Sequence, residues 1–115
     1  MNCIFLRRGY KEIESEPPAP SEYAVTISGA NSYGYVTVDG TNYTSNKTVT
    51  VSAGKTISVT VNGATSSYSS VTLNGTTVKS GNGTYEHTVN ANCTITFTRN
   101  GSGTRWGYKA AITTE

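Results

Sequence analysis

Apolar and polar residues alternate along most of the chain from residue 23 onward, and this pattern predicts short β-strands. In one clear case, Ile57, Val59 and Val61 occupy one face, with threonines and a serine on the other. About nine short segments show such a pattern, a count typical of a β-sandwich or a small barrel. The sequence therefore predicts an all-β domain over residues 21–115.

Two dipeptides mark tight turns between alternating segments. Asp39-Gly40 and Asn74-Gly75 are the residue pairs that favour two-residue type I′ hairpins. A hairpin of this kind fixes which residues lie opposite each other on the two strands. The turns thus predict two facing pairs: Val36 with Tyr43, and Val71 with Val78.

The strands and turns occur twice along the chain. Residues 36–41, VTVDGT, recur as VTLNGT at residues 71–76, and residues 51–60 resemble residues 89–98. Each copy contains a hairpin, a loop and two further strands, and one copy alone would leave an apolar face in water. Packing the two copies face to face would bury both faces, so we expect a β-sandwich built from two related hairpin units.

The hairpin motif carries a resemblance to known modules. The Val-x-Val-Asp-Gly hairpin, a polar loop and the alternating strand after Ala53-Gly54 resemble PEGA-type and bacterial immunoglobulin-like surface modules over residues 33–101. The chain departs from that pattern at residues 44–46, where Thr-Ser-Asn replaces the usual Gly-Thr-Pro. The resemblance implies an immunoglobulin-like β-sandwich.

An arm and a linker precede the domain, which divides the chain into residues 1–20 and 21–115. The arm contains an apolar triplet too short to form a core, and the proline-rich linker, residues 17–20, is stiff and extended. An exposed apolar triplet favours a partner that covers it, as an added strand or in a groove. Alternatively, the arm folds back onto its own sandwich. The candidate anchoring residues are Ile4, Phe5, Leu6, Arg7 and Arg8.

The first ten residues are similar to the openings of small proteins encoded among tailed-phage and prophage virion genes. Together with the module resemblance, this implies a phage or prophage decoration protein whose arm docks on a capsid or tail protein of the virion. The alternative is an adhesion or carbohydrate-binding module of a bacterial surface. Self-association stays open in both cases.

Charge argues against nucleic acid or a membrane as the partner. The formal net charge is only +2, and residues 23–115 hold six basic residues against three acidic ones. The basic residues are scattered singly and form no stripe of the kind that binds nucleic acid. No segment is long enough to span a bilayer, and the apolar run at residues 3–6 is too short for a secretion signal.

Candidate catalytic and metal-binding groups do not converge, so the sequence predicts a non-enzymatic protein without a cofactor. His87 and Glu86 are adjacent and therefore fall on opposite faces of one strand. Cys93 alternates in phase with apolar neighbours, which places it in the core. One histidine and two distant cysteines make no zinc set. We expect Cys3 and Cys93 to remain thiols, although a bridge is an alternative.

Aromatic residues are the remaining candidates for binding. Tyr33 and Tyr35 are out of phase with the valines that follow, so both should lie on the outer face. Neighbouring exposed tyrosines can stack on sugar rings or anchor a protein partner. Alternatively, they pack under a loop or over the linker. Trp106 and Tyr108 share a face with Ile112 and are expected in the core.

Overall fold

A computed structural model of the protein describes residues 21–115. The predicted arm and linker, residues 1–20, lie outside the described residues, and so do the predicted anchoring residues 4–8. Cys3 lies there as well, so the expectation that it does not bridge to Cys93 stays a prediction.

Ten β-strands and one short 3₁₀-helix, Ser66–Tyr68, make up the regular structure of the described residues. The strands pack as two sheets, so the predicted all-β sandwich is confirmed. In chain order the strands are β1 (Glu22–Ser28), β2 (Gly34–Val38), β3 (Thr41–Tyr43), β4 (Lys47–Ser52), β5 (Thr56–Val61), β6 (Ser70–Leu73), β7 (Thr76–Ser80), β8 (Gly83–Thr88), β9 (Cys93–Ser102) and β10 (Arg105–Thr114).

Six strands form the larger sheet, in the order β4-β1-β9-β10-β6-β7, and four form the smaller sheet, in the order β3-β2-β5-β8. All neighbours in the smaller sheet are antiparallel. The larger sheet includes two parallel pairs, β1 with β9 and β10 with β6. We call the end of the sandwich where β9 finishes and β10 begins the hairpin end, and the opposite end the far end.

The core lies between the two sheets and consists of side chains that the alternation places inward. On β5, Ile57, Val59 and Val61 are fully buried, whereas the residues between them are only partly so. Burying one such side chain stabilises the fold by roughly 1.5–3 kcal/mol. The core residues are Val25, Ile27, Val36, Val38, Val51, Ile57, Val59, Val61, Val71, Val89, Cys93, Ile95, Phe97, Ala110 and Ile112.

The two copies of the repeat do not form one layer each, which corrects the expectation that they pack face to face. The hairpin of the first copy, β2–β3, lies in the smaller sheet, whereas that of the second, β6–β7, lies in the larger. The strands after each hairpin divide as well, because β4 and β9 join the larger sheet while β5 and β8 join the smaller. An alternating strand has one apolar face, and that face can be buried in the core whether the strand belongs to the larger or the smaller sheet. The pattern alone therefore does not indicate which sheet a strand joins.

The first predicted turn has the geometry that its sequence favours. Asp39 and Gly40 both have positive φ, 51° and 80°, as a type I′ turn requires. The strands on either side pair so that Val36 faces Tyr43. The predicted register of this hairpin is therefore confirmed.

The second turn also has positive φ at Asn74 and Gly75, but its hairpin has a different register. Val71 pairs with Lys79 because the pairing shifts by one residue within the hairpin. The prediction that Val71 faces Val78 is thus wrong. The bulge leaves Val78 as an extra residue of β7, with its side chain 37% exposed.

The last hairpin is longer than the sequence pattern indicates. Residues 100–103 are predicted as a glycine-rich loop, but residues 100–102 belong to β9, and the turn consists of Gly103 and Thr104. The ten-residue strands β9 and β10 pair along their whole length. β10 also inserts between β9 and β6, whereas the equivalent strands of the first copy, β5 and β2, pair directly.

Candidate functional site

An open cleft of about 200 Å³ lies at the hairpin end of the sandwich. Its lining comes from both sheets: one residue precedes β2 of the smaller sheet, and three belong to the β9–β10 hairpin of the larger sheet. The lining residues are Tyr33, Arg99, Trp106 and Tyr108.

The cleft exists because the β9–β10 hairpin continues past the end of the smaller sheet. The Phe97 ring lies over Gly34, the first residue of β2, so closely that a β-carbon on Gly34 would stand 2.6 Å from Phe97 Cδ1. Arg99 has the same phase as Phe97 but lies two residues further along β9, beyond the start of β2. On β10, Tyr108 pairs with Arg99 and Trp106 pairs with Gly101, so both aromatic residues also lie beyond the start of β2. The inner face of the larger sheet is therefore only partly covered there.

The three aromatic rings of the cleft pack against one another. Trp106 meets Tyr33 edge to face, with ring centroids 4.9 Å apart, and meets Tyr108 in the same manner at 6.1 Å. The rings of Tyr33 and Tyr108 are closer to parallel, at an angle of 23°. Edge-to-face pairs stabilise their geometry by about 0.5–1.5 kcal/mol each. Because Tyr33 is 47% exposed, the group presents a preorganised aromatic surface to solvent.

The loop between β1 and β2 positions Tyr33 through the amide of Asn31. Asn31 Oδ1 accepts hydrogen bonds from the backbone N–H groups of Tyr33 (2.7 Å) and Gly34 (3.0 Å). Its Nδ2 donates to the hydroxyl oxygen of Tyr108 over 2.7 Å. Since that oxygen accepts the bond from Asn31, the Tyr108 hydroxyl proton is available for a ligand.

The segment that follows β5 holds the start of β10 in place. The backbone N–H of Thr65 donates to the carbonyl of Trp106 over 2.8 Å. The hydroxyl oxygen of buried Ser69 accepts from the N–H of Tyr108 over 3.1 Å. Gly107 has no room for a side chain, because a β-carbon would stand 2.5 Å from Ser69 Oγ. The two aromatic residues therefore project from a fixed backbone.

Arg99 gives the cleft a positive charge. Its guanidinium lies over the Trp106 ring, with Cζ 4.8 Å from the ring centroid, and its Nη2 donates to the carbonyl of Gly103 over 3.3 Å. Within residues 21–115, the salt bridge present joins Lys55 to Asp39, and Arg99 has no carboxylate partner. The guanidinium retains donors for an incoming anion.

The structure separates the two tyrosines predicted as ligand contacts. Tyr33 lines the cleft, where it joins residues that the sequence pattern did not group with it. Tyr35 lies on β2 opposite Thr60, partly buried and in phase with the outward-facing residues of the smaller sheet. Tyr35 is not among the residues that line the cleft.

The sequence pattern did not indicate Arg99, Trp106 and Tyr108 as site residues. The expected phase of both aromatics is confirmed, but each is only half-buried, since the smaller sheet ends before them. A signal was present in the chain, because the alternation of β10 starts at Trp106, close to the turn. The first inward-facing residues of that strand therefore had to lie near the tip of the hairpin.

The two reactive side chains of the domain lie in the core. His87 is 8% exposed on β8, and Cys93 is 4% exposed on β9 of the other sheet. Burial lowers the pKa of His87 and raises the pKa of the Cys93 thiol, so both favour their neutral forms. Glu86 lies exposed on the opposite face of β8. Within residues 21–115, no group of three His, Cys, Asp or Glu residues could hold a metal ion.

Comparison of the chain with protein-family models, curated proteins and solved structures finds no match. The fold and the cleft together define the class: a two-sheet β-sandwich with an aromatic cleft at one end. No helix within residues 21–115 is both long enough and apolar enough to cross a membrane.

Proposed function

We propose that this protein is a non-enzymatic binding protein of a phage or prophage virion. In this proposal the N-terminal arm attaches the chain to a capsid or tail protein, and the β-sandwich displays its cleft for a ligand. The observation that carries the binding role is the group of Tyr33, Arg99, Trp106 and Tyr108 at one open end. Tyrosine, tryptophan and arginine are enriched among the residues that dominate binding energy at protein interfaces.

The placement of the reactive groups supports binding rather than catalysis. Catalysis requires titratable groups that converge where a substrate can reach them. His87 and Cys93 instead face the core from two different sheets. The cleft offers aromatic faces, hydroxyl groups and one guanidinium, which suit recognition of a ligand.

The direction of the first strand supports display from a particle. β1 begins at the far end, because it runs parallel to β9, which reaches the hairpin end at Ser102. An arm that joins the domain before Glu22 therefore enters opposite the cleft. A chain attached through that arm would present the cleft away from the particle. The immunoglobulin-like class belongs to the same proposal and rests on the resemblance of residues 33–101.

Deletion of residues 1–20 tests the virion setting. Two tagged proteins are produced, the full-length chain and residues 21–115, each with a C-terminal tag. The host cells carry the phage or prophage whose genome encodes the chain, and the released particles are purified by density gradient. We expect the full-length protein in the particles and the truncated domain outside them, with a folded β-type circular dichroism spectrum. Absence of the full-length protein from the particles, or assembly of the truncated domain into them, would contradict the proposed attachment.

The cleft itself favours a second candidate function, an adhesion or carbohydrate-binding module of a bacterial surface. Exposed aromatic rings can stack on the apolar faces of sugars in either setting. A glycan array with Tyr33→Ala and Tyr35→Ala variants tests the cleft independently of the setting. We expect Tyr33→Ala to lose binding and Tyr35→Ala to retain it, since Tyr35 lies outside the cleft. Equal binding by both variants would place any glycan site elsewhere.

A further inference from the structure

The cleft combines aromatic walls with a guanidinium. This combination indicates the chemical class of the ligand as well as the presence of a binding site. We infer that the cleft binds a sugar ring that carries a carboxylate, such as the terminal residue of an acidic glycan. The inference rests on the proposed binding function and names its ligand. Three observations carry it: the charge distribution, the state of Arg99 and the size and lining of the cleft.

Charge is distributed unevenly between the two ends of the sandwich, as the strand register shows. Within residues 21–115, three of the four acidic residues lie at the far end and the fourth lies within β8. The acidic residues of the far end are Glu22, Asp39 and Glu115. Three of the six basic residues lie on the β9–β10 hairpin toward its tip: Arg99, Arg105 and Lys109. Lys79 lies near the middle of the larger sheet, and Lys47 lies nearer the far end, at the level of Ile95.

This arrangement gives the cleft a positive surrounding potential. Lys55 is paired with Asp39 at the far end, so these two charges cancel, and Glu22 and Glu115 are the remaining acidic residues there. A surface of one sign attracts ligands of the opposite sign and raises their rate of association. A neutral or cationic ligand would gain nothing from it, which favours an anion.

Arg99 is the charged residue that lines the cleft, and it is held ready for a carboxylate. Its guanidinium lies over the Trp106 ring, with Cζ 4.8 Å from the ring centroid, and its bond to the Gly103 carbonyl is long at 3.3 Å. A planar guanidinium binds a carboxylate through two parallel hydrogen bonds, and such charge-assisted bonds are stronger than neutral ones. Among the described residues, no carboxylate occupies this position.

The size and lining of the cleft favour a ring over a peptide. Its volume of about 200 Å³ lies below the range of roughly 300–1,000 Å³ found for pockets that enclose drug-sized ligands. The walls provide the rings of Tyr33 and Tyr108 for stacking and the Tyr108 hydroxyl as a donor. All of these groups are side chains that line a small cleft, which suits a compact ring.

Matched pairs of sugars test the inference with the full-length protein. Glycans ending in glucose or galactose are compared with those ending in glucuronic or galacturonic acid, by calorimetry at low salt. We expect the acidic member of a pair to bind about tenfold more tightly, the effect of one net charge-assisted interaction. Arg99→Gln should abolish that preference, so that the acidic and neutral members of a pair bind this variant with equal affinity. Arg105→Gln should retain it, because Arg105 contacts Tyr68 outside the cleft.

The outcomes separate the ligand class from the binding function. Equal affinity for acidic and neutral sugars, or a preference that survives Arg99→Gln, would contradict the inference that the ligand is acidic. Loss of sugar binding in Tyr33→Ala would, even then, support the proposal that the cleft binds a sugar. If a poly-glutamate peptide binds, this binding depends on Arg99 and no sugar binds, the ligand is an acidic peptide and the inference of a sugar is wrong. Failure of all these probes to bind would overturn the inference and remove the support for the binding cleft.

Discussion

At the scale of single residues, exposure is decided by where a side chain lies along its strand as well as by the face it occupies. Ile112 and Trp106 share a face of β10, but Ile112 is buried and Trp106 lies at the open end. The difference arises because the smaller sheet covers only part of the hairpin. A large apolar side chain on this face is therefore a core residue at position 112 and lines the open cleft six positions earlier.

His87 makes the stability of the domain depend on pH. Burial lowers its pKa below the usual value of 6.5, so the unfolded chain takes up a proton more readily than the folded one. The free energy of unfolding should therefore be fully retained above about pH 6.5 and should decline as the pH falls through the lowered pKa. Urea unfolding of the wild type and His87→Leu, at pH values from about 7 to about 5, measures this decline.

The variant is the control, because His87 is the one histidine of the chain. Over this range the buried Cys93 thiol remains neutral, because burial raises its pKa. We expect His87→Leu to have a nearly constant free energy of unfolding between the same pH values. An equal decline in both proteins would show that other groups cause it.

At the scale of elements, the two hairpins of the repeat show how far a turn sequence determines a register. Both turns have the positive φ values that their Asx-Gly sequences favour. Only the first hairpin keeps the regular pairing, with Val36 opposite Tyr43. The second contains a bulge that exposes Val78 and pairs Val71 with Lys79. The turn fixes the first pairs next to it, and contacts further along the strands fix the rest.

The bulge predicts that two valines of this hairpin contribute differently to stability. Val71→Ala should lower the free energy of unfolding by about 2 kcal/mol, since it removes two fully buried methyl groups. Val78→Ala should change it by less than about 0.5 kcal/mol, because that side chain is exposed. Chemical denaturation of both variants gives the comparison. Similar losses would mean that Val71 and Val78 face each other, as the regular register requires.

At the scale of the whole molecule, β10 joins parts of the chain that the repeat leaves apart. It pairs with β9 on one side and with β6 on the other, so it lies in the middle of the larger sheet. No counterpart of this strand exists in the repeated sequence. The hairpin β6–β7 is attached to the rest of that sheet through β10.

A chain that ends at Gly103 should therefore fail to fold. Without β10, the larger sheet divides between β9 and β6, and the core loses Ala110 and Ile112. We expect no cooperative thermal transition and no β-type circular dichroism spectrum. Deletion of residues 1–20 is the control, because it removes more of the chain than the 12 residues beyond Gly103. The domain that remains after this deletion should melt cooperatively. A cooperative transition in the chain that ends at Gly103 would contradict the central role of β10.

The sequence alone determined the all-β class, the faces of the strands and the positions of the two tight turns. These properties are local, because side chains alternate with a period of two and turns depend on the φ preferences of a few residues. The buried positions of Val25, Ile95 and Cys93 follow directly from the alternation.

Only the tertiary structure decided which sheet each strand joins, where β10 inserts and which residues meet in the cleft. Tyr33 and Trp106 are far apart in the chain and come within 4.9 Å because two sheets of unequal reach pack together. Alternation specifies that a residue faces inward but not what lies opposite it. Those facing contacts depend on pairing between distant strands, which a local pattern does not encode.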